Sequence, residues 1–97
     1  MYNAKQLSRI GGDTANELTK RIMYRTMTNI MCQLYTWDGA KGKRPFKNLL
    51  LCQLVLKAVG TNKRTRTSYE DETVKTIKQW LVRAKDRLNN QNKKLEK

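Results

Sequence analysis

The stretch WDGAKGKRPFKNLLLCQLVLKAV, from Trp37 to Val59, limits the fold more than any other part of the chain. It begins as a basic loop punctuated by Gly39 and Gly42, which reach positive φ without steric cost, and by Pro45, whose fixed φ suits the first turn of a helix. Phe46, Leu49, Leu50, Leu51, Leu54, Val55, Ala58 and Val59 then recur at three- and four-residue spacing, the pattern of a helix with a broad buried face. The LLL run leaves two registers open and points to a break near Asn48, and Gly60 is the expected end. Lys41, Lys43, Arg44 and Lys47 therefore sit on a loop tied directly to the hydrophobic anchor of the domain.

The remaining segments also read as helical. Tyr2 to Ile10 is an expected short helix stopped by Gly11 and Gly12. Asp13 or Thr14 caps a second helix whose apolar positions are Leu18, Ile22, Met23, Met27, Ile30, Met31 and Leu34, closed by Tyr35 and Trp37. Its opposite face carries Lys20, Arg21 and Arg25. The polar, basic run TNKRTRTS contains no apolar residue and reads as an exposed loop. Ser68 and Asp71 have capping-box spacing ahead of a last helix from about Tyr69 to Asn89. Val74, Ile77, Leu81, Ala84 and Leu88 form its core stripe, with Trp80 flanking it and Lys75, Lys78, Arg83, Lys85 and Arg87 on the other sides. No strand signal competes with these patterns. The expected fold is all-α, a compact bundle of four or five helices with a basic glycine loop before the central one. Residues 1–88 form the single helical domain, and residues 89–97 form a basic, frayed tail.

Charge narrows the function. The chain holds 21 Lys plus Arg against 8 Asp plus Glu, a net charge of +13 over 97 residues. A small domain so charged repels itself unless a polyanion is at hand, and nucleic acid is the commonest one. No acidic residue falls between Asp38 and Glu70, where eight cations stand: Lys41, Lys43, Arg44, Lys47, Lys57, Lys63, Arg64 and Arg66. With no His and no C-x-x-C pair, a zinc site is not expected and histidine-based catalysis is excluded, and Cys32 and Cys52 read as reduced core residues. GAKGKRP lacks the spacing and the Ser/Thr of a Walker A loop, so neither an enzyme nor a cofactor or small-molecule site is expected. The longest apolar run is interrupted by Gln53 and Lys57, which excludes a membrane span, and MYNAKQLSRI lacks the apolar core of a signal peptide.

The order of short motifs adds a resemblance. IGG at Ile10–Gly12, a Met/Ile-rich helix, W-x-G at Trp37–Gly39 and G-K-x-x-F at Gly42–Phe46 come first. L-x-L at Leu49–Leu51, A-V at Ala58–Val59, I-K-x-W-L at Ile77–Leu81 and A-K-D-R at Ala84–Arg87 follow. In this order, over about Leu7 to Leu88, they resemble the family named domain of unknown function 4806 and are more distantly similar to BEN domains. The BEN resemblance implies an all-α module of chromatin and transcription proteins that binds DNA through a C-terminal helix and adjoining loops. The motif residues are mostly glycine, aromatic or aliphatic, so they speak for fold rather than for a ligand site.

Together these features point to a double-stranded-DNA-binding module of a nuclear chromatin or transcription-regulatory protein. Phosphate contacts are expected from Lys41, Lys43, Arg44 and Lys47 and from Lys63, Arg64 and Arg66. Lys75, Lys78 and Gln79 near the start of the last helix are the candidates for base contacts in the major groove. The alternative is a protein-interaction or homodimerisation module of a chromatin-associated or transposon-derived protein. It draws on Trp37, Trp80, Tyr24, Tyr35 and the methionines, more apolar and aromatic material than one small core readily holds. RNA ranks third, because the basic loops contain no aromatic residue on which bases could stack.

Overall fold

The first three helices are opened by small polar side chains that accept orphan amide protons. In the computed structural model, which describes residues 2–95, Asn3 opens α1 (Ala4–Ser8) with a reciprocal capping box: Asn3 Oδ1 accepts from Gln6 N at 2.8 Å and Gln6 Oε1 accepts from Asn3 N at 3.0 Å. Thr14, one of the two caps the sequence leaves open, opens α2 (Ala15–Thr26) by accepting from Glu17 N at 3.1 Å. Between them Gly11 turns the chain at φ +83°, as its place after a helix suggests. Gly12 is needed for a different reason, since a Cβ there would lie 2.8 Å from the Leu18 backbone nitrogen.

The second helix is shorter than its apolar spacing implies. It ends at Thr26, Met27 is extended (φ −136°, ψ 134°), and Thr28 starts α3 (Asn29–Cys32) by accepting from Met31 N at 3.1 Å. Thr26 Oγ1 donates to the Ile22 carbonyl at 2.8 Å, and Thr28 serves better as a cap than as a helix interior residue. The break resets the phase. Cys32 turns fully inward, while Ile30, Met31 and Leu34, expected in the core, are 63%, 43% and 48% exposed.

After α3 the chain makes a two-residue parallel ladder, β1 (Tyr35–Thr36) with β2 (Arg44–Pro45), where the sequence shows no strand. The intervening loop folds back through three left-handed residues, Gly39 (φ 83°), Lys41 (φ 59°) and Gly42 (φ 75°). Phe46, at the head of a 3₁₀ turn (Phe46–Asn48), is fully buried, with Tyr35 edge-on at 6.3 Å and Trp37 tilted at 6.5 Å. The break expected near Asn48 falls at Leu49, which is extended (φ −77°, ψ 146°) and leads into α4 (Leu50–Thr61). Of the apolar residues expected on its buried face, Val55, Ala58 and Val59 are buried and Leu49, Leu51 and Leu54 half-buried, whereas Leu50, the first residue of α4, falls off the face set by Cys52, Val55 and Val59 and is 53% exposed.

The TNKRTRTS segment is only partly an exposed loop: Thr65 is fully buried and donates to the Val59 carbonyl at 2.7 Å. Ser68 and Asp71 make no capping box; α5 (Glu70–Val82) begins behind Tyr69 without a side-chain cap, and the Ser68 amide is turned to the Thr65 carbonyl at 3.0 Å. The last helix is divided at Arg83 (φ −87°, ψ 4°), and α6 (Ala84–Leu95) follows. The expected frayed tail is therefore helical through residue 95; no Gly or Pro interrupts it, and Lys93 and Lys94 suit a helix C-terminus. Residues 96 and 97 lie outside the described residues.

The result is all-α in character, 68% helical, with six helices among the described residues instead of four or five, because two expected helices are broken. α4 is the hub, in contact with α1, α2 and α5, while α2 packs along α5 and α3 packs on α6. Leu7, Leu18, Ile22, Met23, Phe46, Val55 and Ile77 are fully buried at its centre.

Two glycines should respond oppositely to alanine. Gly60 lies within α4 with nothing within 4 Å of an added Cβ, so Gly60→Ala should stabilise by about 0.5–1 kcal/mol. Gly12→Ala must push backbone from backbone and should destabilise by about 1–3 kcal/mol. Urea denaturation midpoints of the two variants check both signs.

Candidate nucleic-acid interface

The glycine loop holds its cations outward on a fixed backbone. The Arg44 amide donates to the Leu34 carbonyl at 2.9 Å and the Lys47 amide to the Trp37 carbonyl at 3.1 Å, while Lys41, Lys43, Arg44 and Lys47 are all exposed. Lys78 of α5 comes to the same side, its Nζ 5.9 Å from the Trp37 ring centroid, in a shallow hollow with Trp37, Asp38 and Val82.

The second basic segment lies at the far end of α4. Twelve residues of helix separate the two, about 18 Å at 1.5 Å per residue. Here Asn62 Nδ2 donates to the Ser8 carbonyl and Asn62 Oδ1 accepts from Arg64 N, each at 2.8 Å, which fixes the turn carrying Lys63, Arg64 and Arg66. All three are exposed, but Arg64 pairs with the Asp13 carboxylate. Both partners are over 70% exposed, so this pair contributes at most about 1 kcal/mol. Lys75 and Gln79, one turn apart on α5, line a hollow with Arg64, Asp13 and Glu72. The three α5 candidates are thus divided: Lys75 and Gln79 face a hollow of mixed charge beside α2, and Lys78 turns toward the glycine loop.

Carboxylates are segregated. Asp13 and Glu17 at the start of α2, with Glu70, Asp71 and Glu72 in the first turn of α5, make five of the chain's eight. Acids in first turns favour the positive helix ends. α2 and α5 run side by side in the same direction, Asn16 Nδ2 reaching Thr76 Oγ1 at 3.3 Å, so the later parts of both helices are left to cations.

A third basic surface appears there, and the sequence reading does not include it among site residues. Lys20, Tyr24 and Arg25 of α2 meet Trp80, Arg83 and Arg87 around two adjoining hollows. Arg87, expected on a solvent-facing side, is instead half-buried: its guanidinium stacks 3.6 Å from the Trp80 ring centroid and its Nε donates to Asn29 Oδ1 at 2.9 Å. Trp80 Nε1 and Arg87 Nη2 are buried without a hydrogen-bond partner, and the Cys32 thiol is close enough to feel both side chains. The sequence signal was the basic face of α2 and the Arg83–Arg87 step of one turn. Tertiary pairing of segments more than fifty residues apart was needed to join them.

Burial raises the Cys32 thiol above its ordinary range, opposed by the Arg87 charge and the Trp80 and Arg87 donors; burial and the Glu70 carboxylate raise Cys52. Both cysteines are free and buried. Both should resist a thiol-specific disulfide reagent at neutral pH until denaturant is added, followed by absorbance of the released thiolate. The unfolded chain releases these protons first, so the stability they contribute is present below the unfolded thiol pKa of about 8.5 and should fall as pH rises past it. Denaturation midpoints at a series of pH values above neutrality check the sign.

Comparison of the chain with protein-family models, with curated proteins and with solved structures finds no match.

Proposed function

We propose that this chain is a double-stranded-DNA-binding module of a nuclear chromatin or transcription-regulatory protein. The observation that carries the reading is the lack of internal neutralisation. Among the described residues Arg64–Asp13 is the only side-chain ion pair within 4 Å, in a chain of net charge +13. Such a surface gains by releasing the counterions of a polyanion. The exposed quartet Lys41, Lys43, Arg44 and Lys47, on a loop with a pinned backbone, is the principal phosphate contact. Lys63 and Arg66 add a second contact about 18 Å away, and Arg64 contributes less because Asp13 already holds it. Lys78, on the glycine-loop side of α5, is the residue best disposed toward a base edge, with Lys75 and Gln79 turned toward α2. The resemblance to BEN domains implies the same partner class.

A second reading, a protein-interaction or homodimerisation module, is favoured by one observation: Ile30, Met31 and Leu34 present neighbouring apolar side chains to solvent around α3. Light scattering of the purified chain across a concentration series separates monomer from dimer.

The test of DNA binding is selection from a random duplex pool at several salt concentrations. An enriched motif that persists at physiological salt is the expected result; no duplex binding even at low salt overturns the reading. Replacing Lys41, Lys43, Arg44 and Lys47 together with Ala should flatten the slope of log K against log salt by about 3–4, while Ala at Lys63, Arg64 and Arg66 should remove about 2.

A further inference from the structure

The groove between α2 and the α5–α6 junction has a composition that duplex binding does not call for. Tyr24 is 71% exposed on the polar face of α2, where it adds nothing to the core. A lone exposed tyrosine is unremarkable, but this one shares a hollow of about 490 Å³ with the half-buried Trp80 indole. The adjoining hollow, about 230 Å³, is lined in part by the same indole and carries Arg83 and Arg87. Arg87 is pinned on the indole by its stack at 3.6 Å and by Asn29 at 2.9 Å, so the pair forms a preformed flat π surface. Lys20, Arg25 and Arg83 surround these rings, and neither hollow has a carboxylate in its lining, unlike the hollow beside Arg64, which holds Asp13 and Glu72.

Cations alone suffice for the outside of a duplex, whose bases are stacked on one another. Aromatic faces set among cations suit a base that has no stacking partner, and the strand attached to it. We propose that this groove is a subsite for single-stranded nucleic acid, in which Tyr24 and the Trp80–Arg87 stack hold unpaired bases and Lys20, Arg25 and Arg83 hold the flanking phosphates. The subsite rests on the preceding section in taking nucleic acid as its ligand, but not in taking a duplex.

The test compares fluorescence anisotropy of an oligothymidylate of about 20 nucleotides, an abasic strand of equal length, and a duplex of random sequence. The abasic strand presents the same phosphates without bases. The oligothymidylate is expected to bind at least about tenfold tighter than the abasic strand, and to quench Trp80 fluorescence in a Trp37→Phe background. Tyr24→Ala, at an exposed position that leaves the core intact, should narrow the difference between the two single strands several-fold, the Trp80–Arg87 stack being left in place. Tyr24→Phe should keep the difference, and neither substitution should change duplex affinity. Equal binding of the oligothymidylate and the abasic strand by the unmodified chain, or a preference that Tyr24→Ala leaves undiminished, overturns the subsite even where the duplex binds. A Tyr24-dependent preference without duplex binding upholds the subsite and removes the duplex reading. Binding to none of the three at low salt overturns both.

Discussion

Burial of Phe46 is the contact on which the remaining architecture depends. Its ring is fully enclosed, with Tyr35 edge-on and Trp37 tilted against it, directly before α4. Those three rings fix the entry and exit of the glycine loop, and the two-residue ladder between Tyr35–Thr36 and Arg44–Pro45 closes it. A ladder so short does not hold itself together in water; the aromatic cluster beneath supplies the cohesion. The same anchor sets where α4 begins, and α4 in turn organises α1, α2 and α5.

Electrostatics oppose this packing. A net charge of +13 on one small core raises the energy of the folded state, and the exposed Arg64–Asp13 pair relieves little of it. Acids are placed instead where helix starts need them, at the first turns of α2 and α5. Three clusters of cations stand apart from most of those acids: the glycine loop, the turn after α4, and the later half of the α2–α5 pair. A polyanion that neutralised the cations would also remove self-repulsion, so its binding would be coupled to fold stability.

Much of the fold could be read from the chain because local chemistry and packing agree there. Thr14, Gly11, Gly39, Gly42 and the break at Leu49 act as their residue types suggest, and Ile77, Leu81 and Ala84 point inward as their spacing requires. The break after Thr26 was hidden because Met27, Ile30, Met31 and Leu34 continue the apolar period through it; periodicity does not register a Thr that recaps. Ser68 was misread because capping spacing says nothing of a turn that takes its amide first. Of the candidate site, the two basic loops were legible as runs of charge. The α2–α5 groove was not, because Tyr24 and Trp80 are brought together only by tertiary packing, and the reason for ranking single strands low, basic loops without aromatics, does not extend to it.

Arg87 has a further consequence. It joins α6 to α5 through Trp80 and to α3 through Asn29, while α3 has only four residues and packs chiefly on α6. Neither element has a large apolar face of its own committed to the central core. α3 and α6 are therefore tied to the rest of the fold in large part through the two contacts of Arg87. Trp80 and Cys32 both adjoin that side chain, so the order of the α2–α5 groove depends on how firmly a single guanidinium is held.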